Sequence, residues 1–412
     1  MIRHLVLCGL GPGHLRLLAH LAKQPRQAKA DIGISLLTRQ RRYISDAQLL
    51  KIITSSGTAA EALTRQASAE AEELEALVQK SGARWIDNNP QALDAVAKTL
   101  LLDDGRTLRF DWLSIEAEPL QNRDQIDAAL PGARANGLFV RPREAFCKLW
   151  PQVQALAATR PLRFAVVLNL NPNPPMGESP DTPTTTEALD TTQPMPMEPP
   201  AVHQPAANWP HEKSALELAF ALHHAFKGSA VTLVTGGVPV GEGLAPAMQA
   251  CLTSALKKRH ITVLRDAAST IAPGEVMLQS NARLACDVPL LVLKPGLPPW
   301  LVRSGLALCN AGEVQTDRTL RSTSHPAIFV SPQVAAVDAR RLFLGLRGVI
   351  AGRPPAATPT AAASATAANS SATATLSAAN ANLAKNQLQR IDCGDGFGIV
   401  AWRNWAMESR KL

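Results

Sequence analysis

The spacing of apolar positions changes period several times along the chain, and each change marks an element. Residues 2–8 (IRHLVLC) form a short apolar run of strand length, and residues 15–23 (LRLLAHLAK) repeat leucine at helical spacing. Between them stand Gly9, Gly11 and Gly13. A second buried run covers Ile32 to Thr38, followed by an acidic helical segment, Ala59 to Ser81. Residues 99–115 (TLLLDDGRTLRFDWLSI) place two apolar runs around Asp104-Gly105, a pair suited to a tight hairpin turn. A similar set recurs further on. A helix within Leu138–Ala158 leads into the strand RFAVVLNL at 163–170, and a helix at 214–226 leads into the strand at 230–237. ITVLRD and DVPLLVLKPG (287–296) complete the second set.

Two stretches lack any such period. Residues 171–210 are rich in Pro, Thr and Met and read as a disordered insertion; residues 354–384 are rich in Ala, Ser and Thr and read as a flexible linker to the tail 385–412. Outside them the two sets share one theme: strand, turn, helix, strand, then a β excursion and a return strand. This predicts an α/β fold of two nested Rossmann-like domains with parallel sheets and β excursions. The first domain takes residues 1–137 and 297–353; the second, 138–296, is inserted into it and carries the insertion 171–210.

The first glycine turn is the strongest chemical signal. A strand that runs through glycines straight into a helix is the phosphate-holding crest of a dinucleotide-binding unit. Gly9 permits the turn, Gly11 lets the backbone approach a pyrophosphate, and Gly13 opens the helix whose N–H groups face the ligand. Pro12 suits the first helical position but has no N–H to give. His14 replaces the last small residue of the motif, at some cost in helix–strand closeness. The second strand leads into Thr38-Arg39-Gln40-Arg41-Arg42, where a ribose-binding carboxylate is expected. Arg39 and its neighbours either meet a phosphate or form a solvated basic loop.

Bulk properties narrow the rest. An apolar content of 46% in 412 residues supplies cores for two or three domains. The net charge of +8 comes without a long basic tract, and only 4% of residues are aromatic, which argues against nucleic acid as a partner. No apolar run approaches the roughly 20 residues that cross a bilayer, and residues 1–30 lack a signal-peptide layout. Six scattered cysteines without a CxxC pair point to reduced thiols in a cytoplasmic protein, soluble or peripheral to a membrane. No metal-ligand spacing and no readable catalytic set stands out, so the catalytic residues are not assigned. Trp402 and Trp405 are expected to pack against the body.

The order of these segments resembles the FAD-dependent pyridine nucleotide-disulfide oxidoreductases. Within them it is most similar to the NADH dehydrogenase-like branch that includes forms fused to selenophosphate synthetase. The resemblance runs over LVLCGLGPGHLRLL, GARWIDNNPQALD, LLLDDGRTLRFDWLSI, LFVRPREAF, PPWLVRSGLAL, VQTDRTLRSTSHPAIFV and GDGFGIVAWRNW. It implies FAD in the first domain and NAD(P)H in the second, with hydride passing from nicotinamide to flavin and on to a quinone or similar small acceptor. It also implies that Gly9, Gly11, Gly13 and the helix start at Pro12 and His14 hold the FAD pyrophosphate, with Gln333 standing where the family has the aspartate of a Gly-Asp pair; Arg39 stays a candidate from its own residues. Several positions depart from the family pattern. Pro332 replaces that pair's glycine, and Pro90 replaces a residue whose N–H meets adenine. Glu116 and Glu118 stand where small residues approach the cofactor, and carboxylates there repel a pyrophosphate unless they turn outward. In the second domain a glycine becomes Ala215, and residues 171–210 separate the strand from its helix. Two functions follow: an FAD-dependent NAD(P)H oxidoreductase, or a cofactor-poor, non-catalytic descendant that binds a partner, with the proline-rich stretch as a docking segment.

Overall fold

The computed structural model describes residues 3–24, 32–55, 58–116, 123–168, 209–293, 297–309, 313–331, 336–352, 389–402 and 405–410. The chain divides into two compact units. The first comprises Met1–Asn122, Arg141–Gln154 and Pro295–Thr373; the second comprises Arg123–Val140, Ala155–Lys294 and Ala374–Leu412.

The first unit opens with β1 (Arg3–Cys8), α1 (Pro12–Ala22), β2 (Ile32–Leu37), α2 (Asp46–Thr54), α3 (Thr58–Ser81) and β3 (Arg84–Ile86). The excursion β4 (Pro90–Asp94), β5 (Thr99–Leu102) and β6 (Thr107–Arg109) precedes the return strand β7 (Trp112–Ile115). The chain then enters the second unit with α4 (Arg123–Ala129), α5 (Ala133–Asn136) and β8 (Leu138–Phe139), and α6 (Arg143–Thr159) follows. The second unit continues with β9 (Arg163–Val167), α7 (Trp209–Ala225), β10 (Ala230–Val234), α8 (Pro246–Lys258) and β11 (Thr262–Leu264). Its excursion is β12 (Ala268–Ala272), β13 (Glu275–Leu278) and β14 (Arg283–Ala285), before the return strand β15 (Val288–Leu291). Finally α9 (Pro299–Val302), β16 (Ile328–Val330) and α10 (Ala336–Ile350) complete the first unit, and β17 (Gln389–Asp392), β18 (Phe397–Trp402) and β19 (Trp405–Arg410) the second.

Each unit holds a five-stranded, wholly parallel sheet, and the two sheets have equivalent orders. The first is β16-β7-β1-β2-β3; the second is β8-β15-β9-β10-β11. β1 and β9 lie at the centres, β2–β3 and β10–β11 extend to one side, and the return strands β7 and β15 pair on the other, with β16 and β8 at the outer edges. Each excursion is a separate antiparallel three-stranded sheet. This is the α/β plan expected from the repeated theme.

A central parallel strand must be apolar on both faces, because helices or other layers cover both. β1 obeys this. Leu5 and Leu7 join Leu17, Leu18, Leu21, Leu342 and Leu346 in one core cluster, while Val6 and Cys8 join Leu113, Ile115 and Trp300 in another. The Asp104-Gly105 turn closes β5 onto β6 with Gly105 at φ 80°, in the left-handed region that favours glycine.

Three details differ from the sequence-based expectation. Residues 123–137, assigned by sequence to the first domain, lie in the second unit, and residues 141–154, assigned to the second domain, lie in the first. Ile126, Leu130 and Ala133 pack with Phe139, Ile271 and Leu291 in the second unit, so apolar burial moves the boundary. Helix α7 starts at Trp209 rather than 214, with the Trp209 indole N–H donating to Gln389 at 3.0 Å. The tail sheet packs on α7 and α8. Glu217 accepts from the Asp392 N–H at 3.1 Å, and Arg259, 5% exposed, pairs with Asp395 at 2.7 Å and Glu408 at 2.5 Å. On that sheet Trp402 and Trp405 are about half exposed rather than packed inward. Residues 171–208 of the insertion and all of the linker 354–384 lie outside the described residues.

Candidate functional site

The site is the crest where β1 meets α1. Gly9, at φ 87°, turns the chain off the sheet while its N–H still donates to Leu37 at 2.9 Å. Gly11 is the helix N-cap in extended conformation, Pro12 is the first helical residue, and the Leu15 N–H closes the first intrahelical bond on Gly11 at 3.0 Å. The first-turn N–H groups have no partner inside a helix and need one from elsewhere. Pro12 has none to offer. Those of Gly13 and His14 both point at the carboxylate of Glu116.

Glu116 follows β7 directly. Because β7 pairs with β1 in parallel, with Cys8 opposite Ile115, the next residue along β7 arrives beside the crest. Its own N–H donates to Cys8 at 2.9 Å, which fixes the backbone, and the side chain folds back over the turn. Oε1 accepts from Gly13 at 2.8 Å and Oε2 from His14 at 2.7 Å, and Glu116 is fully buried. A carboxylate at a helix N-terminus is favourable both for its hydrogen bonds and for the helix dipole. The glycines make room for it. A Cβ on Gly11 would lie 2.3 Å from the Glu116 Cδ, and one on Gly13 would lie 3.0 Å from Oε1.

His14 seals the underside of the crest. Its Nδ1–H donates to the Gly9 carbonyl at 2.9 Å, which leaves Nε2 to accept from the Ser114 hydroxyl at 2.7 Å. The imidazole is completely buried, and burial pushes its pKa down, against the smaller opposing pull of Glu116 and the Gly9 carbonyl. His14 is therefore a buried rivet between β1, α1 and β7. A second acid lies nearby. Asp338, in the first turn of α10, has its carboxyl pKa raised by burial, with the Glu116 charge contributing.

As arranged, these residues do not fit the pyrophosphate of FAD. The first-turn donors are taken, the volume over Gly11 is filled, and the occupant carries the ligand's own sign of charge. The sequence-based alternatives for Glu116 were repulsion or an outward turn. The side chain does neither and takes the ligand's place.

The other expected site residues are spread out. Arg39, just past β2, pairs with Asp103 at 3.7 Å, and both side chains are more than one-third exposed. Its neighbour Arg41 pairs with Asp87 and lies over the Trp85 ring at 5.1 Å. The basic loop is thus tied to acids of its own unit. Pro90 opens β4 with no N–H to offer. Gln333, Pro332 and Glu118 lie outside the described residues.

The second unit has no comparable crest among its described residues. β9 ends at Val167, and Ala215, taken as the altered glycine, is buried in the second turn of α7 instead of at the helix start. An acid appears here too. Glu212, in the first turn of α7, accepts from the Gly241 N–H at 2.5 Å in the loop after β10, and burial pushes its carboxyl up to about 7. Sequence reasoning did not single out Glu212. The signal was present in a glutamate within a helix's first turn and a loop carrying Gly236, Gly237, Gly241 and Gly243, all at positive φ.

No protein-family model matches the sequence, and no curated protein matches it. Solved structures do match. The sulfide:quinone oxidoreductase of Aquifex aeolicus aligns over 99% of this chain and 87% of its own, at 14% identity and a TM-score of 0.61. The chain has the fold of the pyridine nucleotide-disulfide oxidoreductases. The flavoprotein disulfide reductase RclA of Escherichia coli aligns over 97% of this chain and 77% of its own, at 11% identity and a TM-score of 0.62. The NAD-dependent persulfide reductase of A. fulgidus aligns over 96% of this chain at 13% identity and a TM-score of 0.60; this chain spans 63% of that protein's length. At these identities the likeness concerns the fold. None of the described helices is long and apolar enough to cross a membrane.

Proposed function

We propose that this protein is an oxidoreductase of the FAD- and NAD(P)H-dependent class, NADH dehydrogenase-like in plan, that holds its flavin weakly. The observation that carries the class is the pair of five-stranded parallel sheets with equivalent order and matching β excursions, in a chain that aligns over nearly its whole length with a sulfide:quinone oxidoreductase. The glycine crest of the first unit supports the flavin end, although Glu116 must leave Gly13 and His14 before a pyrophosphate can seat there. The proposed acceptor is a quinone or similar small molecule, and six scattered cysteines without a CxxC pair accord with a cytoplasmic setting.

A second reading, a non-catalytic descendant that binds a partner, is favoured by one observation: the crest is closed by the chain's own carboxylate. In that reading the proline-rich residues 171–210 serve as the docking segment, by composition alone.

The test is acceptor reduction by NADH or NADPH, followed with a quinone at rising FAD concentration. Pale protein whose activity appears only with added FAD is the expected result. Absence of any FAD-dependent turnover, in the wild-type chain and in a variant freed of the Glu116 carboxylate, would overturn the oxidoreductase reading and leave the binding protein.

A further inference from the structure

We propose that Glu116 is a built-in competitor for a dinucleotide pyrophosphate, and that it sets how tightly the first unit takes FAD. The inference rests on reading that unit as a dinucleotide site, and it adds what controls the site. Three independent observations converge on one side chain. The hydrogen bonds come first: Pro12 has no N–H, and the donors of Gly13 and His14 both end on Glu116, at 2.8 and 2.7 Å. The shape accounting agrees, because the space kept open by the missing side chains of Gly11 and Gly13 is the space the carboxylate fills. The third observation concerns origin. A helix is ordinarily capped by its own N-cap side chain, but Gly11 has none, and the cap comes from the end of the neighbouring strand β7.

An anion brought in from another strand onto dinucleotide-type donors is a surrogate for the ligand's phosphate. It makes the two states exclusive. With the carboxylate on Gly13 and His14, a pyrophosphate finds no first-turn donor and meets a like charge. With a pyrophosphate seated, Glu116 must give up both bonds. A purely structural cap would account for stability but would leave no reason for ligand affinity to rise when it is removed.

The experiment measures equilibrium binding of FAD and of riboflavin to the full-length wild-type chain, Glu116→Ala and Glu116→Gln. Folding of each variant is first checked by a cooperative melting transition. Removing the carboxylate frees two donors for charge-assisted bonds, so Glu116→Ala is expected to bind FAD about a hundredfold more tightly than wild type. Glu116→Gln keeps one acceptor while turning its NH2 toward the other N–H, so the expected gain is smaller, about tenfold. Riboflavin has no phosphate, and its affinity should be the same in all three proteins. If Glu116→Ala does not fold, the Glu116→Gln result decides.

Equal and tight FAD binding by wild type and variants would overturn the competitor role while leaving the flavoprotein reading intact. Failure of all three to bind FAD would overturn both. A parallel gain for riboflavin would also overturn the proposal, since the substitution would then have opened the pocket generally without freeing a phosphate site.

Discussion

The two units share strand order and an antiparallel excursion just before the return strand, yet they depart from a dinucleotide crest in different ways. In the first unit the strand, glycine turn and helix remain contiguous, and the crest is occupied from within by Glu116. In the second, β9 and α7 are separated by residues 168–208, and Glu212 of α7 ties the helix to the glycine loop after β10. One crest is filled; the other is parted along the chain. A parallel sheet tolerates both, because its stability comes from strands buried on both faces and not from the loops at their ends.

The comparison is broken most severely at Gly11. A methyl group at Gly11→Ala would lie 2.3 Å from the Glu116 Cδ, an overpacking expected to cost about 3 kcal/mol and to lower the first unit's melting temperature by roughly 6–12 °C. The double variant with Glu116→Ala should recover most of that loss. Additive effects in the cycle would show that the two positions do not share the space.

Next in size is a contrast in pH response. The Glu212 carboxyl lies at about 7 in the folded chain against an ordinary 4.5, so the fold holds a proton that the unfolded chain releases between those values. Stability contributed by this group is therefore greatest below pH 4.5 and falls as pH rises to about 7. Glu212→Gln should remove that slope and stabilise the protein at pH 8 by on the order of 2–3 kcal/mol, measured by denaturant titration across pH. His14 gives the first unit the opposite sign. Its pKa is lowered by burial, so protonation of the unfolded chain below about 6.5 draws stability away as pH falls.

Arg259→Ala tests the tail of the second unit alone. The side chain is 5% exposed and pairs with Asp395 and Glu408, while those partners keep some contact with solvent. A loss of about 2 kcal/mol is expected, seen as faster amide exchange in β17–β19 with β1 unchanged. Protection lost equally in both units would show that the tail does not act locally. The smallest effect is reserved for Arg39→Ala, where both partners are largely exposed. Less than about 0.5 kcal/mol should be lost. Weakened FAD binding in this variant, measured in the Glu116→Ala background, would revive a phosphate role for the basic loop.

Local patterns made much of this legible. The two-faced apolar runs marked β1 and β9, the leucine spacing marked α1, and Asp104-Gly105 marked the β5–β6 turn. The repeated theme predicted two parallel sheets. What linear order hid was adjacency. The family resemblance put Glu116 near the cofactor, but not its carboxylate on the donors of Gly13 and His14; that follows from β7 pairing with β1, a contact made across roughly a hundred residues of chain. The same limit applies to residues 123–137, whose apolar positions gave helices but not the core they join, and to Glu212, whose partner lies in another loop. Arg39 and Arg41 looked like a cation cluster in need of an anion. Asp103 and Asp87 supply it from elsewhere in the same unit.

The edge strand β16 also has a meaning for how the molecule is made. β7 is complete by residue 115, but the strand that covers its open edge arrives at residues 328–330. On a ribosome adding roughly 5–20 residues per second, that interval of about two hundred residues leaves β7 exposed for roughly 10–40 s. An uncovered parallel edge is a template for foreign strands. Slowed synthesis, or a message cut short before residue 328, therefore lengthens the time during which nascent chains can pair with one another instead of with themselves.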